Sequence, residues 1–254
     1  MRVSGEKISG FLLDINALQS DGTTVCDISD LNKIQIEISV RRGARNKQFL
    51  FNGKLDELLT GLYANTLKYA NCIKKLDSGY KVLIDFGGVL DIPLTDELTI
   101  SSRPEQSAFS SLALTPSSIE CETVPAVGQP TAMPLVESIA VGNNETSINE
   151  PLGNNVVSIV IVNDFTASYD ASSKAKIQDV TLTALGLEKN VSNNLLIAEN
   201  MDLLRMNPAT DVKQIVVYRA KRQDQLLNQV RLKANLTKGA DQDARILVLK
   251  TKRV

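Results

Sequence analysis

The chain of 254 residues contains no histidine and no tryptophan. Without histidine there is no Ser-His-Asp or Cys-His relay, no ordinary catalytic zinc site and no two-histidine iron site. Aromatic residues make up only 4% of the chain, so platforms for stacking sugars or bases are poorly supplied. Apolar burial must come from aliphatic side chains, of which isoleucine and valine suit pleated sheet. Cys26, Cys72 and Cys121 are an odd, widely spaced set with no C-x-x-C, which argues for reduced thiols rather than a disulfide framework. No G-x-x-x-x-G-K-[ST] occurs, nor a G-x-G-x-x-G between strand and helix, so nucleotide phosphates have no ready cradle. The densest apolar run, Val156 to Val162, is far too short to cross a bilayer. Met1 to Leu13 lacks the apolar stretch of a secretion signal. These absences predict a protein that is not an enzyme, needs no cofactor, and stays in a reducing cytoplasm.

What is present is strand periodicity. Ile34, Ile36, Ile38 and Val40 alternate with Lys33, Gln35, Glu37, Ser39 and Arg41, the pattern of a strand with one face on a core. Val82, Ile84 and Phe86 repeat it, as do Val230, Leu232, Ala234 and Leu236. Further strand-like runs lie at 10–18, 49–51, 97–101, 109–114, 118–124, 135–141, 155–162, 177–184, 194–198, 214–219 and 245–251. Gly87-Gly88 and Gly239 suit turns between strands. One segment has helical spacing instead: Leu55, Leu58, Leu59, Leu62, Tyr63, Thr66 and Leu67, with Asn52 as a cap and Asp56 and Glu57 favouring the helix start. A shorter echo runs from Glu199 to Met206 and stops before Pro208. Pro125, Pro130, Pro134 and Pro151 cluster with several glycines, and Pro125 to Thr131 reads as an interdomain link. The predicted domains are 1–125 and 126–254.

The halves resemble each other. "KIQIEISV" at Lys33 matches "KIQDVTLT" at Lys176, a Leu-Leu helical piece follows each, and "KVLIDF" at Lys81 pairs with "QVRLKA" at Gln229. A duplicated β-sandwich accounts for this order; two unrelated β domains or one mixed domain are the alternatives.

The net charge is −1, but it is unevenly spread. Ser101 to Asp170 is strongly acidic and Asp211 to Val254 strongly basic. Arg219 with Lys221, Arg231 with Lys233, and Lys250 with Lys252 are i, i+2 pairs, so each projects from one sheet face. If the three strands are neighbours they form a cationic patch for a subunit contact or anionic lipid headgroups; the competing reading is an ordinary solvated face. No aromatic residues interleave for base stacking, so no specific nucleic-acid contact is expected. Asp96 with Glu97 and Asp241 with Asp243 are the residual catalytic carboxylate pairs. "GADQDA" at Gly239 offers part of a calcium site, which a polar hairpin tip explains more simply.

"NKIQIEISV", then "FLFNGKLDELLTGLYANT", "GYKVLIDF" and "TDELTISS" leading to "SSIECETV", is similar to the first barrel of double jelly-roll major capsid proteins of membrane-containing icosahedral bacteriophages, the corticovirus and tectivirus lineage. The resemblance implies a mainly β chain of two tandem jelly-roll sandwiches with short inserted helices. It implies a trimeric, pseudo-hexagonal capsomer that tiles an icosahedral shell over a lipid membrane. Partners would be copies of the chain, other capsid proteins and membrane headgroups, with calcium at subunit interfaces as an option. The location would be the virion, assembled in the host cytoplasm. A spike- or tail-associated binding module is the alternative reading.

Overall fold

The computed structural model describes all residues except 17, 20, 27–33, 64–71, 105–117, 132, 143–144, 164–175, 193–194, 197, 201–213, 221–225, 238–243 and 253–254. Sixteen strands and one named helix are described. In chain order they are β1 (Arg2–Val3), β2 (Glu6–Asn16), β3 (Ile34–Arg42), β4 (Gln48–Lys54), α1 (Leu55–Tyr63), β5 (Ile73–Lys75), β6 (Gly79–Ile92), β7 (Asp96–Pro104) and β8 (Ser118–Pro125). Then follow β9 (Met133–Val141), β10 (Ser147–Gly153), β11 (Val156–Asn163), β12 (Lys176–Ala184), β13 (Leu187–Ser192), β14 (Gln214–Arg219), β15 (Val230–Thr237) and β16 (Ala244–Lys252). The chain divides into two compact units. One comprises Met1–Tyr63, Leu67–Leu135 and Lys252–Val254, the other Ala64–Thr66 and Val136–Thr251.

The first unit has two four-stranded sheets, ordered β1-β7-β3-β4 and β5-β6-β2-β8. The alternation read in β3 is realised: Ile34, Ile36, Ile38 and Val40 are buried, as are Phe11, Leu13 and Ile15 of β2 and Val82 and Ile84 of β6. β4 runs straight into α1, so Asn52 lies in the strand and is not the cap. Leu55, Leu58 and Leu59 of α1 are buried.

Gly87-Gly88 is no turn between strands. It lies in an extrusion of β6, where pairing with β2 jumps from Ile8↔Leu90 to Gly10↔Asp85. Gly87 takes φ 71° there, a conformation open to glycine. Phe86 packs edge-on against Phe11, centroids 5.3 Å apart. The Val89 N–H donates to Thr131 Oγ1 (2.9 Å) and the Thr131 N–H to Val89 O (2.8 Å). With the Ala126 N–H donating to Lys7 O, these bonds fasten the proline-rich stretch after β8 to the first unit.

The second unit has sheets β10-β15-β12-β13 and β14-β11-β16-β9. Its core joins Ile148, Val180, Leu182, Leu232 and Leu236 of the first of these sheets to Ile159, Ile161, Ile246 and Val248 of the other. β15 shows the period most cleanly: Val230, Leu232, Ala234 and Leu236 are buried and Arg231, Lys233 and Asn235 exposed. Of the run at 194–198, the described residues are not strand: 195–196 and 198–200 are helical, with Leu196 fully buried in the core.

The two units follow one circuit. β1-β7-β3-β4 corresponds to β10-β15-β12-β13, and β6-β2-β8 to β14-β11-β16. Each unit also has a strand without a counterpart, β5 in the first and β9 in the second. The "KIQ" pair therefore aligns correctly, β3 with β12. The pairing of "KVLIDF" with "QVRLKA" does not: β6 lies beside β2, whereas β15 lies beside β12 and corresponds to β7.

The helical connection after β4 and after β13 does the same work in both units. Tyr63 at the end of α1 donates its hydroxyl to Leu83 O and accepts from the Asp85 N–H, both 2.9 Å, closing an edge of β6 beyond β5. Burial raises the Tyr63 pKa, keeping the phenol protonated as a donor. Asn200 accepts from the Val216 N–H (2.8 Å) and donates to Val216 O (2.9 Å) and Leu196 O (2.8 Å), closing the edge of β14. Each side chain imitates the strand that would otherwise pair there, satisfying backbone groups at corresponding places.

Candidate functional site

The basic residues do not form one patch. β15 carries Arg231 and Lys233 on the β10-β15-β12-β13 sheet, whereas Arg219 on β14 and Lys250 on β16 belong to the other sheet. Lys221 lies outside the described residues, and of Lys252 only the backbone, at the end of β16, is described.

Lys250 is committed to an ion pair with Glu137 of β9, Nζ to Oε2 2.5 Å, and its side chain is only 15% exposed. Arg219 is half-buried, and desolvation lowers its pKa. Of the six basic residues, the exposed ones among those whose side chains are described are Arg231 and Lys233.

These two sit in a polar setting that their own spacing did not announce. Strand register places Lys233 between Asn149 of β10 and Thr181 of β12. Arg231 Nη1 donates to Asn149 Oδ1 (3.0 Å), Asn235 Nδ2 to Asp179 Oδ1 (2.9 Å), and Thr181 Oγ1 to Asn190 Oδ1 (2.6 Å). Ser147, Asn149, Asp179, Thr181, Lys233 and Asn235 line a shallow depression of about 380 Å³. Lys233 has no hydrogen-bond or ion-pair partner among the described residues. The surface is a polar sheet face that carries the cations Arg231 and Lys233 together with the Asp179 carboxylate, suited to polar contact with another macromolecule. The only sequence signal for it was the i, i+2 spacing of polar residues on β10 and β12, which any solvated face shares.

Asp96 and Glu97 are adjacent on β7 and point away from a shared cleft: Asp96 Oδ1 accepts from the Gly43 N–H, and Glu97 pairs with Arg41 (3.5 Å). Asp241 and Asp243 lie outside the described residues, and with them the calcium-site reading. No described helix is long and apolar enough to cross a membrane.

No family model and no curated protein matches the chain. Solved structures do. The crystal structure of the STIV MCP, the major capsid protein of an archaeal virus, aligns with probability 1.00 and a TM-score of 0.59 at 14% identity, covering 99% of this chain and 90% of that one. The fold is a double jelly roll. That likeness runs the full length of the chain and accords with the duplicated circuit of eight-stranded sandwiches. It extends to the double jelly-roll architecture and not to the corticovirus and tectivirus lineage.

Proposed function

We propose that the chain is a structural capsid protein, a double jelly roll that assembles through its faces and edges. The observation that carries this reading is the full-length match to a major capsid protein, reached over two units that repeat one circuit. Two similar sandwiches per chain, taken three times, place six comparable barrels about a threefold axis, which lets a trimer tile a hexagonal lattice. The proposed assembly is accordingly a trimeric capsomer in an icosahedral shell over a lipid membrane. Copies of the chain and other capsid proteins are its partners, and the virion its location. The Arg231–Lys233 face serves subunit contact, since its two exposed cations stand among polar groups that include the Asp179 carboxylate, and it is no dense basic surface of the kind that holds anionic lipid.

Electron microscopy of the purified, concentrated protein tests this. Discrete pseudo-hexagonal capsomers, or sheets and shells built from them, are the expected image. Isolated monomers at every concentration and salt would contradict it.

A further inference from the structure

The correspondence between the units leaves one place filled in the second and, among the described residues, empty in the first. In the second unit β16 is an interior strand, with β11 on one side and β9 on the other. Its counterpart β8 pairs with β2 alone, and its other edge has no strand among the described residues.

The geometry of that edge can be worked out residue by residue. The Ala126 N–H bonds to Lys7 O on the β2 side. Backbone groups alternate sides along an antiparallel strand, so Val124, Glu122, Glu120 and Ser118 also face β2. The Leu83 N–H bonds to Cys72 O, away from β2, which puts Val82 and Ile84 against Leu13 and Phe11 and leaves Leu12 and Asp14 to bond Glu122 and Glu120. Ile119, Cys121 and Thr123 therefore aim their N–H and C=O groups at the open edge.

The side chains of β8 define what fits there. Ile119, Cys121 and Thr123 share the face of Leu13, Ile15 and Phe11, which are buried, yet remain only half-buried themselves. Their counterparts on β16, Ala244, Ile246 and Val248, are fully buried. On the opposite face Glu120 and Glu122 are exposed, with no ion pair among the described residues, while the nearby Asp14 is matched by Lys81 at 3.1 Å.

We propose that the β8 edge docks an extended segment of another protein, with apolar residues inward over Ile119, Cys121 and Thr123 and basic residues outward beside Glu120 and Glu122. Strand addition supplies backbone hydrogen bonds for affinity, and the alternating side chains supply selectivity. A second β8 is a poor occupant, because antiparallel self-pairing about Cys121 sets Glu120 opposite Glu122 of the other copy. Among the described residues, the chain's own strands of basic and apolar alternation are not free to serve. β15 lies between β10 and β12, and β16 between β11 and β9.

The test uses two heptapeptides, one alternating lysine and valine and one alternating glutamate and valine, with amide hydrogen exchange and binding measured on the whole chain. The lysine peptide should bind and slow exchange at Ile119, Cys121 and Thr123, and the glutamate peptide should do neither. Cys121→Pro removes one outward N–H from an edge strand without touching the β2 ladder, a place where proline is tolerated; it should weaken binding at least about tenfold. Glu120→Lys with Glu122→Lys, both at exposed positions, should reverse the preference between the peptides. Absence of protection by the lysine peptide, equal binding of both peptides, or unchanged preference in the double variant would overturn the proposal.

Discussion

Asp56 gives the protein a specific dependence on pH. It lies in the first turn of α1 and is 9% exposed, beside the fully buried Glu57. Burial foremost, and then the Glu57 charge, lift its pKa from the ordinary 3.8 to about 7, against the opposing pull of the Glu57 N–H, which donates to Asp56 Oδ1 (2.9 Å), and of Lys54. The folded chain thus holds a proton on Asp56 that the unfolded chain releases. Stability from this group is fully present below pH 3.8 and is lost as pH rises through 7. A shift of about 3 units corresponds to about 4 kcal/mol at pH 7 and above. That figure is a ceiling, since fraying of α1 lets water reach the carboxylate at smaller cost.

Asp56→Asn keeps the acceptor for the Glu57 N–H and removes the charge. Calorimetric melts of both proteins at pH 4, 6 and 8 isolate the effect, because titrations not coupled to Asp56 cancel in the difference. The variant should match the wild type near pH 4 and exceed it increasingly towards pH 8, by up to roughly 10 °C for a chain of this size. A constant offset at all three pH values would refute the reasoning.

Asn200→Ala strands the buried Val216 N–H and C=O, and should cost about 2–4 kcal/mol in denaturant melts, while Tyr63→Phe at the corresponding half-buried edge should cost about 1–2; a loss below about 0.5 kcal/mol for Asn200→Ala would remove the edge-closing role. At Gly10 an added Cβ would sit 2.0 Å from the Ile84 carbonyl oxygen, so Gly10→Ala must push β2 from β6, and soluble yield and melting temperature should both fall. Arg231→Glu with Lys233→Glu alters two exposed residues, so the monomer's melting temperature should hold while capsomer formation, read by native mass spectrometry, is lost; unchanged assembly would exclude this face from subunit contact.

Strands with one face on a core and one in water were legible from their period, as β3 and β15 demonstrate. β10 was not: it falls outside the strand-like runs, in a stretch interrupted by Pro151, and an edge strand tolerates proline that an interior strand rejects. β13 has a single buried residue, Val191, too little to register as alternation. The run Leu195 to Ala198 is apolar without a period, which suits a strand or a buried helix equally, and its described residues Leu195, Leu196 and Ala198 are helical. The false pairing of β6 with β15 has the same origin: alternation reports a buried face but not which sheet the strand joins. For that reason the basic pairs were each placed on one face, yet their division between two sheets was invisible. Asn200 and Tyr63 act on backbone groups far along the chain, and neither edge closure has a local spacing to betray it. The buried carboxyl of Asp56 was read as a favourable helix-start charge, whereas its burial opposes ionisation.

The central claim is that this chain is an assembly unit built on two jelly rolls. Light scattering on the protein eluting from a sizing column tests it most directly. A species of about 83 kDa, three times the 27.7 kDa of one chain, is the predicted result. A mass of one chain that persists as concentration rises would contradict it.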